Sequence, residues 1–106
     1  MAYSATKWGL RGITKSVALE AGPYNINVND VCPGIVEGPR VENTFRIKSQ
    51  HSGKSIDQVR EESVVEYALR RFSTAQDVAN VIAFLCSDKS RQITGQDIAV
   101  DGGWAM

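Results

Sequence analysis

Apolar positions along this chain first recur with a helical period, then alternate briefly, then return to the helical period. From about Ala2 to Ala21 the apolar and small residues Ala5, Gly9, Ile13 and Val17 fall four apart, with Gly12 and Ser16 three after Gly9 and Ile13, which predicts one helix. Gly22-Pro23 supplies its stop. Two interior glycines cost a helix about 1 kcal/mol each relative to alanine, a cost that suits a face another backbone approaches closely. Ile26 and Val28, continuing to Val31, predict a short strand over 25–31 that Pro33-Gly34 halts.

Residues 35–72 are polar and helical in places, with no strand pattern. Ser55 and Gln58 form a capping-box pair, and Ile56, Val59, Ser63 and Tyr67 then fall near one helical face. An excursion of this length between regular elements predicts a binding loop or lid. Thr74 and Asp77 cap a further helix, whose Val78, Val81, Ile82 and Leu85 form a core-facing stripe. After the turn Thr94-Gly95, residues 97–101 read as a second strand, closed by Gly102-Gly103. Strands separated by helices predict an α/β fold with a parallel sheet. Two short parallel strands lack the neighbours and the two-sided cover such a sheet needs. The expectation is therefore part of a larger fold, cut just before the helix that carries its chemistry.

Composition narrows the partners more than it identifies any. The 106 residues suit one domain and carry 12 basic and 12 acidic side chains, so no charge excess favours nucleic acid. The longest strongly apolar run, Val81 to Cys86, is far below the roughly 20 residues that span a bilayer. The start MAYSATKWGL resembles neither a signal nor a transit peptide, and the expectation is a soluble, cytoplasmic protein with no membrane partner. Cys32 and Cys86 form no CxxC, and the single His51 completes no metal site with them. Both cysteines read as small buried hydrophobes, and His51 as a solvated loop residue.

Tyr3 and Lys7 carry the chemistry. Four residues apart on a helix, they share a face with Cβ atoms roughly 5–6 Å apart. A phenol ionises near pH 10 and is a poor proton carrier at neutrality. Two unit charges 4 Å apart interact by about 4 kcal/mol at an effective dielectric of 20, and an ammonium at that distance favours the phenolate. That shift is large enough to give a general acid/base near neutral pH. By itself the spacing is also that of many ordinary surface pairs.

The surroundings distinguish it. The helix YSATKWGLRGITKSVALE, the following NINVNDVCPG and the closing ITGQDIAVDGG together resemble the short-chain dehydrogenase/reductase family. Tyr3 through Lys7 match its YxxxK motif, Pro33-Gly34 the pair after its sixth strand, and Thr94 through Gly103 its last strand. The three blocks keep family order and spacing across essentially the whole chain. The resemblance implies the C-terminal half of a doubly wound, Rossmann-like fold occupying residues 1–106, with 36–72 as a substrate-binding loop containing short helices. It implies hydride transfer between NAD or NADP and a small-molecule carbonyl or alcohol. Tyr3 would exchange the substrate proton, and Lys7 would hold the nicotinamide ribose. Pro33, Gly34, Ile35 and Val36 would pass the nicotinamide and contact its carboxamide, largely through the Ile35 backbone.

Two departures qualify the match. The family's threonine after Pro-Gly falls on Gly38, so that hydroxyl is absent. The family's glycine-rich phosphate turn, catalytic serine and asparagine match nothing in these residues, and Gly9-x-x-Gly12 lies within a helix. The resemblance also implies a homo-oligomer, dimer or tetramer. The alternative is a non-catalytic oligomerisation fragment, inactive alone, with Gly9, Gly12 and Ser16 permitting close helix approach.

Overall fold

A computed structural model describes residues 1–104 and bears out the α/β expectation. Its regular elements, in order, are α1 (Ala2–Ala21), β1 (Asp30–Pro33), α2 (Pro39–Ser52), α3 (Ile56–Val64), α4 (Ala75–Leu85) and β2 (Asp97–Val100). The residues fall into two compact units, Met1–Cys32 with Asn80–Ala99, and Pro33–Ala79 with the chain from Val100 onward. The Asp30 N–H donates to Gln96 O at 3.0 Å and the Gly34 N–H to Val100 O at 3.2 Å, so the pairing advances in one direction along both strands and is parallel.

In the first unit α1 spans the predicted residues but packs through a different face. Thr14 and Ala18 are buried and Arg11 and Ala21 half-buried, again at spacings of three and four. Ile13 and Val17 remain 60% and 40% exposed, and no atom lies within 4 Å of where a Cβ on Gly9 or Gly12 would sit. On the packed face Ala18 meets the Gly95 turn: a Cβ on Gly95 would stand 3.5 Å from the Ala18 methyl, an ordinary van der Waals contact. The α-helix ends at Ala21 as predicted, although Gly22 itself stays right-handed. The chain tightens into a 3₁₀ turn through Pro23, and Asn25, left-handed at φ 60°, ends it.

The first strand lies later than its apolar pattern predicts, at Asp30–Pro33 in place of 25–31. Upstream, side chains supply the partners that a strand ladder would. Asn27 Nδ2 donates to Ser90 O and Arg91 O, and Asn29 Nδ2 to Ile93 O, while the Val28 N–H donates to Thr94 Oγ1. Such side-chain bonds compete with regular pairing and leave this segment irregular. The α4 stripe is likewise only half covered: Val78, Val81 and Leu85 are half-buried, while Ile82 is exposed. Buried Ser90 donates to Leu85 O at 2.8 Å, satisfying a carbonyl at the end of α4.

The second unit holds a compact aromatic core of Phe45, Val59, Tyr67 and Phe72, backed by Ile35, Val41 and Val64. Tyr67 meets Phe72 edge-on at 5.2 Å and stacks on Trp104 at 6.1 Å, while Phe45 lies 5.7 Å from Phe72. Proline in the first turn opens α2, and left-handed Gly53, φ 71°, closes it. The predicted capping box begins α3: Ser55 Oγ accepts the Gln58 N–H, and Gln58 Oε1 accepts the Ser55 N–H. Arg60 lies over the Phe45 and Phe72 rings and pairs with Glu37 and Glu42, tying the loop entrance to both helices. Among the described residues, no helix is long and apolar enough to cross a membrane.

Candidate active site

The first turns of α1 place Tyr3 and Lys7 on one face because the helix begins at Ala2. The Lys7 ammonium lies 5.6 Å from the centroid of the Tyr3 ring, and both side chains are open to solvent. Thr6 Oγ1 donates to Tyr3 O at 2.8 Å, so one of the small residues between them is tied back to the helix. A phenol beside an ammonium, both exposed, can bind and exchange a proton with a small molecule. The geometry therefore provides the two groups the sequence singled out, in mutual reach.

A second polar cluster in the same unit is chemically quieter. Arg11 donates to Cys32 Sγ at 3.5 Å, and the Cys32 thiol donates to Asp30 Oδ1 at 3.3 Å. Burial, then the Asp30 carboxylate, push this thiol above its ordinary pKa, outweighing Arg11. A thiol held protonated is a poor nucleophile. Lys15 pairs with Asp97 at 2.8 Å and holds that carboxyl below its usual range. Neither cysteine is the fully buried hydrophobe the sequence suggests: Cys32 is half-buried among polar groups and Cys86 is exposed. His51 is exposed, as expected, and borders an open cavity of about 460 Å³ between α2 and α3.

In the second unit Pro33 is exposed, whereas Gly34, Ile35 and Val36 are half-buried. Gly34 is required by space, since a Cβ there would sit 3.0 Å from the Asp101 Cα and 3.2 Å from the Tyr67 ring. The Ile35 backbone already has internal partners. Its N–H donates to the Tyr67 hydroxyl at 3.1 Å, and its carbonyl accepts the Ser73 N–H at 3.0 Å. The Glu37 N–H donates to Ser73 O at 2.9 Å, completing a parallel bridge between Val36 and Ser73. In that bridge the N–H and C=O of Val36 itself face away from Ser73. Gly38 caps α2 without a side chain, its carbonyl accepting the Val41 and Glu42 N–H groups.

The helical period puts Tyr67 on the face of Val59 and Ser63, but α3 ends at Val64 and Tyr67 lies in the turn beyond it, where the period says nothing of its hydroxyl. The same period passes over Arg60. A tyrosine at an otherwise apolar core position was the one available signal, because a buried phenol needs a polar partner.

The chain is similar to known proteins over nearly its whole length. A family model described as Enoyl-(Acyl carrier protein) reductase covers residues 1–105. D-beta-hydroxybutyrate dehydrogenase of Rhizobium meliloti is 38% identical over 104 residues, 97% of this chain and 40% of that protein. A short chain dehydrogenase family protein from Francisella tularensis superposes with a TM-score of 0.92 at 36% identity, over 98% of this chain and 43% of that one. L-sorbose reductase of Gluconobacter frateurii, solved with NADPH and L-sorbose, does so with a TM-score of 0.88 at 29% identity, over 97% and 40%. The chain thus spans about two fifths of the length of the relatives it matches. With the family model covering nearly every residue and the solved relatives sharing the fold, the chain belongs to the short-chain dehydrogenase/reductase family.

Proposed function

We propose that these residues supply the proton-transfer pair and the nicotinamide-facing segment of an oxidoreductase acting on a small carbonyl or alcohol with NAD or NADP. The observation that carries this reading is the Tyr3–Lys7 pair, phenol and ammonium on successive turns and open to solvent. In reduction Tyr3 gives its proton to the carbonyl oxygen, and in oxidation it takes the proton of the hydroxyl. Lys7 donates to a ribose hydroxyl of the cofactor. The nicotinamide, when bound, supplies or accepts the hydride.

The residues of the second unit fit a carboxamide. Val36 directs one donor and one acceptor away from Ser73, complementary to an amide's acceptor and donor. The Ile35 N–H is occupied by Tyr67, so this contact rests on Val36 in place of Ile35. Residues 36–72, with α2 and α3, form the substrate-binding segment. Gly9 and Gly12 lie inside α1 and offer no phosphate-binding turn, so these 106 residues alone turn over no substrate.

The test joins this chain to the N-terminal part of the Rhizobium meliloti relative, replacing the matching C-terminal segment. The fusion is expected to oxidise NADH or NADPH in the presence of a small ketone, while the 106-residue chain shows no saturable rate. A folded, cofactor-binding fusion with no turnover on any carbonyl would contradict the proposal.

A second reading has its own observation. Trp8 and Ile13 are 68% and 60% exposed on α1, and the positions beside Gly9 and Gly12 are open. We infer that the chain self-associates as a homo-oligomer through this face. Light scattering on the eluting species distinguishes a dimer or tetramer from a monomer, and a clean monomer at micromolar concentration refutes it.

A further inference from the structure

The Tyr67 side chain lies 1% exposed beneath the segment proposed to meet the cofactor, yet its hydroxyl is not spent on the core. It accepts the Ile35 N–H at 3.1 Å. The ring is fixed on two sides, edge-on to Phe72 and stacked on Trp104, so the hydroxyl has a fixed position. A Cβ on Gly34 would be 3.2 Å from the same ring, so Tyr67 packs directly against the peptide it bonds.

We propose that Tyr67 is a positioning residue whose hydroxyl anchors the Ile35 amide and thereby sets the Val36 N–H and C=O toward the nicotinamide carboxamide. The anchoring uses two residues and three hydrogen bonds on three consecutive peptides. Tyr67 takes the Ile35 N–H, and Ser73 takes the Ile35 carbonyl and the Glu37 N–H. Ser73 thus holds the two peptides that carry the Val36 N–H and C=O, and Tyr67 holds the peptide before them, so the run cannot turn as a unit. Phenylalanine at position 67 keeps the ring contacts and removes only the hydroxyl. The Ile35 N–H is then left without its acceptor, and the segment regains the freedom to turn it toward water.

This inference rests on the oxidoreductase reading, and its test separates the two. The probe is nicotinamide mononucleotide, which carries the ring, carboxamide and ribose without a pyrophosphate that would need a cradle. Titrated into the ¹⁵N-labelled chain, it is expected to shift the Val36 amide resonance. In Tyr67→Phe the Ile35 amide should exchange with solvent at least about tenfold faster, and the titration midpoint at Val36 should rise at least about fivefold. The Asp30 and Gly34 amides, bonded to Gln96 O and Val100 O, report whether the fold is kept. Phe72→Leu serves as the packing control: it loosens the same cluster but is expected to leave the Val36 midpoint within about twofold. A wild-type chain whose Val36 amide ignores the probe overturns the cofactor reading and this inference with it. A shift at Val36 that is identical in Tyr67→Phe overturns the inference alone, as does a midpoint moved equally by Phe72→Leu.

Discussion

Substituting glycine by alanine should have opposite effects at two places in this chain. At Gly34 the added methyl would meet the Asp101 Cα and Cβ at 3.0 Å and the Tyr67 ring at 3.2 Å. The Asp101 Cα is backbone at the end of a paired strand and cannot swing aside as a side chain does. Overpacking of this kind costs about 1–3 kcal/mol, partly offset by about 0.4–1 kcal/mol from a less flexible unfolded chain. The net expectation is a loss of about 1–2 kcal/mol. At Gly9, inside α1, nothing lies within 4 Å of the added methyl, and helix propensity alone should stabilise by up to about 1 kcal/mol. Urea unfolding followed by far-ultraviolet circular dichroism measures both variants against the parent chain, with an unchanged slope as the check that only stability moved. A neutral Gly34→Ala would refute the close approach of Asp101 and Tyr67. Self-association through this face would cover Gly9, so the prediction applies to the chain diluted to its monomer, where a destabilising Gly9→Ala would refute the open surroundings of Gly9.

Other substitutions address single contacts. Ser55→Ala removes the acceptor for the Gln58 N–H and should cost about 1 kcal/mol in the same unfolding assay. Arg70 is left-handed at φ 53°. A non-glycine residue there costs about 1–2 kcal/mol, against roughly 0.5–1 kcal/mol for glycine's extra chain entropy and about 0.5 kcal/mol for the lost Arg70 side-chain bond to Val65 O, so Arg70→Gly should leave stability within about 0.5 kcal/mol of the parent. Asp77 accepts the Thr74 N–H and hydroxyl at 2.8 Å each, and these bonds hold its carboxyl below its ordinary value of 3.8. A depressed folded-state pKa contributes stability above that ordinary value and loses it as pH falls through the folded one. The stability gap between the parent and Asp77→Asn should therefore be full at pH 6 and close progressively below pH 3.8 in acid titrations of unfolding.

Local signals were legible in the sequence, and tertiary ones were not. The bounds of α1, the Ser55–Gln58 box and the Thr74–Asp77 cap follow from residue types three or four apart, whose partners are fixed by helix geometry. The packed face of α1 was misread because Thr14 and Ala18 are less apolar than Ile13 and Val17. Ala18 faces the Gly95 turn, a distant part of the chain that no local pattern names. Strand β1 was placed too early because Ile26 and Val28 alternate, while Asn27 and Asn29 draw that stretch into side-chain bonds with residues 90–96. α2 left a weak signal, since its inward residues reduce to Val41 and Phe45, and only Gly38-Pro39 and Gly53 mark its ends. At the candidate site, Tyr3 and Lys7 were readable from a spacing of four. The Ile35–Tyr67 bond joins residues 32 positions apart and left no pattern to read.

The most direct test of the account follows the hydride itself. In the fusion described above, NADH or NADPH deuterated at the reactive carbon of the nicotinamide is mixed with a reducible ketone, and the product is analysed by mass spectrometry. The account expects one deuterium at the new carbinol carbon, formed about 10²–10⁴-fold more slowly in Tyr3→Phe, the range typical for loss of a positioned proton donor. Deuterium transfer at an undiminished rate in Tyr3→Phe would contradict the assignment of proton transfer to this residue.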